Sequence, residues 1–534
     1  MSRAPSNTMK HLWINEDNAS FYDYRSQNEM SVEGLNSLVD TYADNSSVEG
    51  VLFCVNVQRA LFDSKAWQPL FDGYDPEGPD DQPMFEFLNK QDQAFVPGNR
   101  GRWWVHNLWL LAQRGLDHPQ IWVDRCRHHQ IEGWLTMRMN DCHHNPAPTA
   151  FWHSSLWQER PDLHRAAYRD EGWFETAFDY GKPEVVAHHM ALLRELCERY
   201  DVDGIELDWV RWIKNFRPGG EVEGLRILND FMREARTLTK SAAKRLGHPV
   251  KLGVRLPTRV QDCVAWGYDL YTWAKEGLVD QIILAPFLSQ SCFEFEIPLW
   301  KALFGDKVKI IAQSDNAMHT WPDAGPITQV HDYKLLWGSA AAAFEEGADG
   351  IAIFNECYRV NPGGRATTED PTLVRNLLEV TGDSKRLRDW PRRQALSYHQ
   401  SPGPGMGISC VLPVPLRRPN DSFDMGRYRE SITFRVPLGQ KPETLHLCLR
   451  IGLDEAGLNT NPADFTVWIN GHEISTLETE DPANAPKLPK TVKGSLISHL
   501  SPETCLDGIN IVEVLPPQVD GQIVWLEIEL DETI

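Results

Sequence analysis

The sequence predicts an α/β protein, a (β/α)8 barrel followed by a smaller β-sandwich domain. Over the first two thirds of the chain, short apolar runs alternate with longer amphipathic stretches, which is the pattern of parallel strands and covering helices. The last quarter instead alternates apolar and polar residues with a period of two. A length of 534 residues also exceeds what one hydrophobic core usually holds. We place the barrel at residues 1–385 and the sandwich at 386–534.

Eight apolar runs are expected to be the barrel strands. They lie at His11–Glu16, Val51–Val57, Gly133–Asn140, Gly204–Trp209, Lys251–Leu256, Gln281–Pro286, Lys307–Ala312 and Gly350–Phe354. Apolar residues with helical spacing occupy the intervals Val32–Tyr42, Trp103–Arg114, Pro183–Tyr200, Leu225–Leu246, Tyr268–Glu276, Ile297–Phe304 and Tyr333–Glu346. Pro183 suits the first position of its helix, where a missing N–H costs nothing. The run GADG before Ile351 is typical of a helix end that leads into a strand.

Two connections are much longer than the rest. The segment Gln58–Arg102 follows the second strand and Asp141–Lys182 follows the third, and both are rich in aromatic, His, Asp and Pro residues. Loops that follow barrel strands build the catalytic face, and long ordered loops there usually serve function. We expect them to shape a ligand site, and the alternative is that they only cover the barrel mouth.

The sequence pattern changes after Arg359. One further helix near Leu373–Val380 is followed by a Pro/Gly-rich linker at Ser401–Gly407. Beyond the linker, period-two alternation predicts antiparallel strands in SITFRVPL, TLHLCLRIGL, FTVWING, NIVEVLP and QIVWLEIEL. No catalytic cluster stands out there, so we expect a structural or dimer-forming domain.

Composition excludes several classes of partner. A net charge of −22 argues against a general binder of nucleic acid or of anionic membranes. The ten cysteines are scattered without a CxxC pair, so free buried thiols are expected rather than disulfides. The first residues lack the apolar core of a signal peptide and no apolar run is long enough to span a membrane, so the expected location is cytoplasmic.

Three arginines are the strongest functional signal. Arg138, Arg211 and Arg255 come near the C-terminal ends of three consecutive predicted strands. Because such strand ends meet at one rim of a barrel, the three side chains are expected to converge. A guanidinium binds a carboxylate with two parallel hydrogen bonds and keeps its charge, so the pattern predicts a small ligand that carries a carboxylate. The alternative for each arginine is a salt bridge to a neighbouring acid such as Asp141 or Asp208.

Acidic residues and histidines also cluster at strand ends. Asp208 ends the fourth strand, with Glu206 two residues before it, in a segment similar to the DGxDxDWE signature of chitinase-like barrels. Val210 stands where that signature has its acidic proton donor, so the chitinase mechanism is not expected. Other candidates at strand ends are Glu16, Asp17, Asp23, Asn140, Asp141, His143, His144, Asn355 and Glu356. Adjacent histidines point apart and lack further ligands at useful spacing, so neither a metal nor a cofactor is expected.

These strand ends resemble the inverting exo-sialidases of glycoside hydrolase family 156. The resemblance rests on RMNDCHH, DGIELDWVR and FNE, which occur in barrel order, and it covers the barrel and the C-terminal β domain. It implies that Arg138 and Arg211 hold the carboxylate of sialic acid and that Asn355 contacts the sugar. It also implies an aspartate and a histidine that act together, placed on Asp23 and His143, with Asp17 and His144 as the alternatives.

The chemistry expected from the resemblance is hydrolysis of terminal sialic acid from a sialylated oligosaccharide, with a homodimer as the assembly. Inversion needs one group that protonates the leaving oxygen and another that takes a proton from water on the opposite face. We assign the acid to Asp23 and the base to His143, with the reverse assignment open. One alternative is a retaining glycosidase with Asp208 as nucleophile and Glu356 as acid. Another is a barrel that binds carbohydrate without cleaving it.

Overall fold

The structure is a computed structural model of the chain. It describes residues 10–17, 19–98, 101–169, 174–287, 290–318, 330–354, 371–398, 401–408, 410–417, 431–474 and 476–532. The chain forms two compact units. The first comprises Met1–Ala285, Leu299–Ile311 and Ala352–Gly382, and the second comprises Pro286–Pro298, Ala312–Ile351 and Asp383–Ile534. The boundary proposed at residues 385 and 386 stays a prediction.

The strands fall into a parallel set and an antiparallel set. In chain order they are β1 (Leu12–Glu16), β2 (Val48–Cys54), β3 (Glu132–Arg138), β4 (Gly204–Asp208), β5 (Lys251–Leu256), β6 (Gln281–Leu284), β7 (Lys309–Ser314), β8 (Ala317–Met318), β9 (Val330–His331), β10 (Gly350–Phe354), β11 (Arg392–Ala395), β12 (Val414–Pro415), β13 (Ile432–Pro437), β14 (His446–Leu453), β15 (Thr466–Ile469), β16 (His472–Glu473), β17 (Glu478–Thr479), β18 (Gly494–Leu500), β19 (Ile509–Leu515) and β20 (Gln522–Asp531).

Eight of these strands close into a barrel in the spatial order β1-β10-β7-β6-β5-β4-β3-β2. Neighbours from β1 to β6 pair in parallel, as consecutive strands joined by helices must. The predicted (β/α)8 barrel is therefore confirmed, with strand ends that differ from the predicted ones by a few residues at most.

Fourteen helices lie within the described residues, and eight of them follow the predicted intervals. The helices are α1 (Ala19–Tyr24), α2 (Val32–Ala43), α3 (Lys90–Gln93), α4 (Arg102–Gln113), α5 (His118–His128), α6 (Ser155–Glu159), α7 (Pro183–Arg199), α8 (Glu221–Leu246), α9 (Val260–Ala265), α10 (Leu270–Glu276), α11 (Ile297–Phe304), α12 (Tyr333–Glu345), α13 (Pro371–Val380) and α14 (Ser384–Arg388). Pro183 opens α7 as expected. The sequence did not predict α5, whose apolar residues Trp122, Val123 and Cys126 are buried but stand among charged ones.

Two tryptophans fill the floor of the barrel. Trp13 on β1 and Trp134 on β3 meet edge to face with ring centroids 5.6 Å apart, in a cluster with Leu52, Ile283, Ile311 and Ala352. Gly204 makes room for them, because a Cβ there would lie 2.5 Å from the Trp134 ring. The lower half of the barrel is therefore a packed core, as in other barrels of this class.

Two antiparallel sheets form the C-terminal part of the second unit. One has the order β11-β20-β14-β18-β17 with β12 beside β20, and the other has the order β13-β19-β15-β16. Their apolar residues share one core that includes Phe434, Leu449, Val512 and Ile528. This architecture confirms the predicted sandwich. The strand β11 was not predicted, because its sequence RRQA gives no apolar signal although all four residues are buried.

The described cysteines and helices relate to two further expectations from the sequence. Nine cysteines lie within the described ranges and all of them are free, eight buried and Cys410 partly so. Cys357 lies outside the described residues. Among the helices that the structure describes, we find none with the length and apolar character that a membrane span requires.

Candidate active site

The barrel interior changes from apolar to charged along its axis. Side chains of a strand alternate between the interior and the surrounding helices. Every second residue of β3 from Trp134 onward therefore points into the barrel, and this series ends at Arg138. The same alternation on β4 points Glu206 and Asp208 into the barrel. Arg138 and Asp208 are directly opposite each other in the pairing of β3 with β4. The charged groups thus gather at the C-terminal rim, where barrels of this class hold their sites.

Arg138 is buried and paired with two carboxylates. Its Nη1 donates to Oδ2 of Asp141 at 3.2 Å, and its Nη2 donates to Oδ1 of Asp17. Burial by itself disfavours its charge, but the negative charges of Asp17 and Asp141 raise the pKa of Arg138 well above its usual value. Asn56 fixes the backbone at this point, accepting from the Arg138 N–H and donating to the Arg138 carbonyl, both at 3.0 Å.

Arg255 is also paired. Its Nη1 donates to both carboxylate oxygens of Asp208 at 3.0 Å. Oδ1 of Asp208 further accepts from the backbone N–H groups of Val210 and Arg211, at 3.1 and 3.2 Å. Asp208 is therefore held by the protein itself. Such a carboxylate suits positioning better than nucleophilic attack.

Arg211 differs from the other two. It is 6% exposed, and its guanidinium lies 4.7 Å from the Phe354 ring and 4.9 Å from the Trp212 ring. Within the described ranges, that guanidinium has neither a hydrogen bond nor a salt bridge, and its Nε is fully buried. Burial and the positive charges of Arg138 and Arg255 lower the pKa of Arg211 to about 10. The site therefore contains a charge that the protein does not neutralise by direct contact.

The three arginines thus lie close together as predicted, but they are not equivalent. Arg138 and Arg255 each form a salt bridge with a carboxylate of the protein, which is the alternative to ligand binding given above. Arg211 has no such salt bridge with a described residue. The assignment of all three to a ligand stays a prediction, and Arg211 is the best supported of them.

His143 is held by Asp141. Its Nδ1 lies 2.9 and 3.0 Å from the two Asp141 oxygens, and its backbone N–H donates to Oδ1 at 2.9 Å. The Trp212 ring packs edge-on against the imidazole at 4.8 Å. The His143 side chain is 28% exposed, whereas Asp141 is buried. Burial opposes ionisation of Asp141, but His143 and Arg138 outweigh it and keep the pKa of Asp141 well below its usual value.

The two candidate aspartates occupy different places. Asp23 lies on α1 and is 0% exposed, and its backbone carbonyl accepts from the Gly98 N–H at 2.6 Å. Asp17 follows β1 at the rim, is 14% exposed and contacts Arg138. The pairing of Asp23 with His143 in catalysis stays a prediction. The placement of Asp17 favours it as the carboxyl that a rim ligand would meet.

The remaining candidates divide as follows. His144 is exposed and its ring packs between those of Phe87 and Trp152, at 5.5 and 5.0 Å. Asn140 joins two loops, accepting from the Phe178 N–H at 3.0 Å and donating to the Phe178 carbonyl at 2.9 Å. Asn355 and Glu356 lie outside the described residues. The predicted sugar contact and the predicted acid of the retaining alternative are therefore without a structural account.

Glu206 lies one step below the rim. Its Oε1 accepts from the Thr136 hydroxyl at 2.7 Å, and its Oε2 is buried without a hydrogen bond to any described residue. Burial raises the pKa of Glu206 to about 8, and the negative charge of Asp208 adds to this effect. We therefore expect the Glu206 carboxyl to be mainly protonated at neutral pH.

Both long loops are anchored at the rim. Gln58 donates to the Asp141 carbonyl and to Oδ1 of Asn145, both at 3.0 Å, and Arg59 donates to the His153 carbonyl at 2.7 Å. The Trp152 ring lies 5.5 Å from His143. The second long loop therefore places an aromatic ring beside His143, whereas the sequence predicted only that the loops shape a ligand site.

A metal site is not evident in the part of the chain that the structure describes. No three or more His, Cys, Asp or Glu side chains come together there in a way that would hold an ion.

Comparison with known proteins gives structural neighbours only. No protein-family model matches the chain, and no curated protein does. Among solved structures, the chain is similar to the PgaB glycoside hydrolase domain from Bordetella bronchiseptica, with a TM-score of 0.39 and 11% identity over 70% of this chain and 99% of that one.

Two larger proteins of known structure are also similar to the chain. One is a GH36 alpha-galactosidase from Geobacillus stearothermophilus, with a TM-score of 0.36 and 11% identity over 95% of this chain and 55% of that one. The other is a cycloisomaltooligosaccharide glucanotransferase from Paenibacillus sp., with a TM-score of 0.33 and 11% identity over 98% of this chain and 57% of that one. The chain thus spans little more than half the length of either protein. Likeness at this level assigns no activity, and a function has to follow from the rim residues themselves.

Proposed function

We propose that this protein is a glycoside hydrolase, an exo-sialidase that removes terminal sialic acid from oligosaccharides with inversion at the anomeric carbon. The observation that carries the proposal is the buried guanidinium of Arg211 beside Arg138, which has no hydrogen bond or ion pair with any residue that the structure describes. A buried charge without a counter-charge is costly, and a ligand carboxylate would remove that cost. Carboxylate recognition by arginine is strongest in such a desolvated place.

The position of this charge fits the substrate class. In a sialoside, the carboxylate is attached to the anomeric carbon itself, so a guanidinium that holds it also fixes the bond to be cleaved. His143 lies on the same rim, since both Arg211 and His143 pack on the Trp212 ring. The carboxylate and the proton-transfer group therefore meet the same sugar ring from neighbouring positions.

The proton transfers need two groups on opposite faces of the sugar. His143 offers Nε2, because its Nδ1 is occupied by Asp141, and imidazole exchanges protons readily at neutral pH. The second group is an aspartate at the end of the first strand. Asp17 is the better placed of the two candidates, and Asp23 remains the assignment that the family resemblance implies. The sialylated partner and a homodimeric assembly belong to the same proposal.

The first test is an activity measurement with a fluorogenic sialoside, followed by proton NMR of the anomer released first. We expect turnover with inversion. Retention would exclude the inverting mechanism and favour the retaining alternative. A wild-type protein that binds sialic acid without turnover would support the carbohydrate-binding barrel.

A variant of Arg211 tests in the same assay whether this residue holds the substrate carboxylate. Arg211→Met is expected to lower kcat/KM by about 100-fold or more, corresponding to about 3 kcal/mol for a charge-assisted pair. Its thermal stability should be kept or raised, because the change removes an unneutralised buried charge. Arg226→Met on the exposed face of α8 is the matched control and should change neither property. Unaltered kcat/KM in Arg211→Met would remove this residue from the carboxylate site.

A further inference from the structure

The side chain of Asp141 contacts both Arg138 and His143. Its two oxygens bind the His143 imidazole and the His143 backbone N–H, and Oδ2 also accepts from Arg138 at 3.2 Å. One carboxylate therefore links Arg138, the neighbour of the guanidinium proposed to hold the substrate carboxylate, with the imidazole proposed to move a proton.

Asp141 is itself fixed in place. It is buried, and its backbone carbonyl accepts a hydrogen bond at 3.0 Å from Gln58. Gln58 belongs to the other long loop. A carboxylate with three charged or polar donors and no free rotation can define the orientation of the ring that it holds.

We propose that Asp141 is a positioning residue that fixes the His143 ring with Nδ1–H toward Asp141 and Nε2 toward the ligand. Its effect on catalysis rests on the proposed function, whereas its effect on the ring does not. During attack, Nε2 takes the proton of the water whose oxygen bonds to the anomeric carbon. The leaving oxygen departs with the electrons of the broken glycosidic bond and receives its proton from the aspartate. The Asp141 carboxylate then faces an imidazolium, which it stabilises without accepting the proton.

The shared contact with Arg138 has a second consequence. Replacement of Asp141 releases one of the two carboxylates that hold Arg138, so ligand binding should change together with proton transfer. A residue with a purely structural role would alter stability but would not change the protonation pattern of His143.

The test is long-range proton–nitrogen NMR of protein labelled with nitrogen-15 in histidine, with His143→Gln to identify the His143 signals. In the neutral imidazole of the wild type we expect a protonated Nδ1 and an unprotonated Nε2. Asp141→Asn should shift the tautomer balance, and Asp141→Glu should partly restore it. Asp179→Asn removes another buried carboxylate of the same loop, bonded to backbone N–H groups, and should leave the His143 signals unchanged.

Kinetics with a fluorogenic sialoside then separate the two proposals. We expect Asp141→Asn to lower kcat by about 100-fold or more and to raise KM, with partial recovery of both in Asp141→Glu. His143 signals that show the Nε2–H tautomer in the neutral imidazole of the wild type, or that do not respond to Asp141→Asn, overturn the positioning role. The wild-type tautomer measurement alone decides the point if the variant fails to fold. If the His143 tautomer and its response to the variants are as expected but the wild type does not turn over the sialoside, the proposed function is refuted and the positioning role stands.

Discussion

Arg255 and Arg211 are nearly equally buried, yet their surroundings give them different energetic roles. Arg255 neutralises Asp208, and removal of either partner would leave a buried charge behind. Arg211 has two arginines near it and contacts two aromatic rings, so its charge costs stability while the site is empty. Functional sites commonly carry such a cost, because a group kept ready for a ligand is incompletely satisfied without it.

Glu206 gives a prediction at the same scale. Its pKa of about 8 in the folded protein lies above the value of an unfolded glutamate. Between these two values the unfolded chain ionises and the folded chain does not, so the unfolded state binds fewer protons and stability falls as the pH rises. Glu206→Gln removes this dependence. We expect it to raise the free energy of unfolding by roughly 1–3 kcal/mol at about pH 7.5 and by much less near pH 4.

The measurement is urea unfolding of wild type and variant across this pH range. The control is Glu234→Gln, which changes an exposed glutamate on α8 that pairs with Arg194 and should leave the pH dependence as it is in the wild type. If Glu206→Gln changes the free energy of unfolding by the same amount at both pH values, Glu206 is ionised in the folded protein.

Individual residues show where the sequence was sufficient. The three rim arginines were identified from strand ends alone, and the structure brings them together. The position of Asp17 at the rim follows from the alternation of side chains on β1, which runs inward from Trp13 through Asn15 to Asp17, whereas the catalytic assignment of Asp23 stays a prediction. The distinction between paired and unpaired arginines was not predictable, because it depends on which carboxylates of distant strands come within hydrogen-bond reach.

Secondary-structure elements were predicted well where apolar residues dominate. The eight barrel strands and the main helices have a continuous apolar or amphipathic signal. Two of the elements missed have a weak apolar signal. The buried apolar residues of α5 stand among charged ones, and the Arg393 guanidinium of β11 is wholly buried against Glu527 of β20, with its Nε donating at 2.9 Å. Hydrophobicity cannot reveal a strand whose burial is stabilised by ion pairs.

The approach of α12 to β11 in the second unit gives a prediction at this scale. Gly338 on α12 faces the backbone of β11 so closely that a Cβ there would lie 2.0 Å from the Arg393 carbonyl oxygen. Gly338→Ala must therefore push the helix away from the strand. We expect a loss of about 2 kcal/mol or more, as for other overpacked contacts. The control is Gly407→Ala, where a Cβ meets nothing within 4 Å.

Thermal unfolding followed by circular dichroism is the measurement for both variants. A Gly338→Ala protein as stable as Gly407→Ala would mean that the helix moves without cost and that the close packing of α12 on β11 is not required.

The whole molecule carries a charge opposite to the local charge of its site. Net charge is −22, whereas the proposed ligand is an anion. At low salt, long-range repulsion should slow the approach of the ligand, and at physiological salt the screening length falls from about 30 Å to about 8 Å. We expect the association rate constant of a dehydrated sialic acid analogue to rise by roughly 2–5-fold over this range.

Stopped-flow tryptophan fluorescence is suited to this measurement, because Trp212 lies beside Arg211. The methyl ester of the same analogue is the uncharged control, and its association should not depend on salt. An association rate that falls with salt would show that the rim arginines, rather than the net charge, govern the approach.

The indoles of Trp13 and Trp134 give the barrel a closed base beneath its charged rim. A barrel that is filled in this way offers no passage along its axis, so a ligand bound at the rim has to arrive and to leave on the rim side.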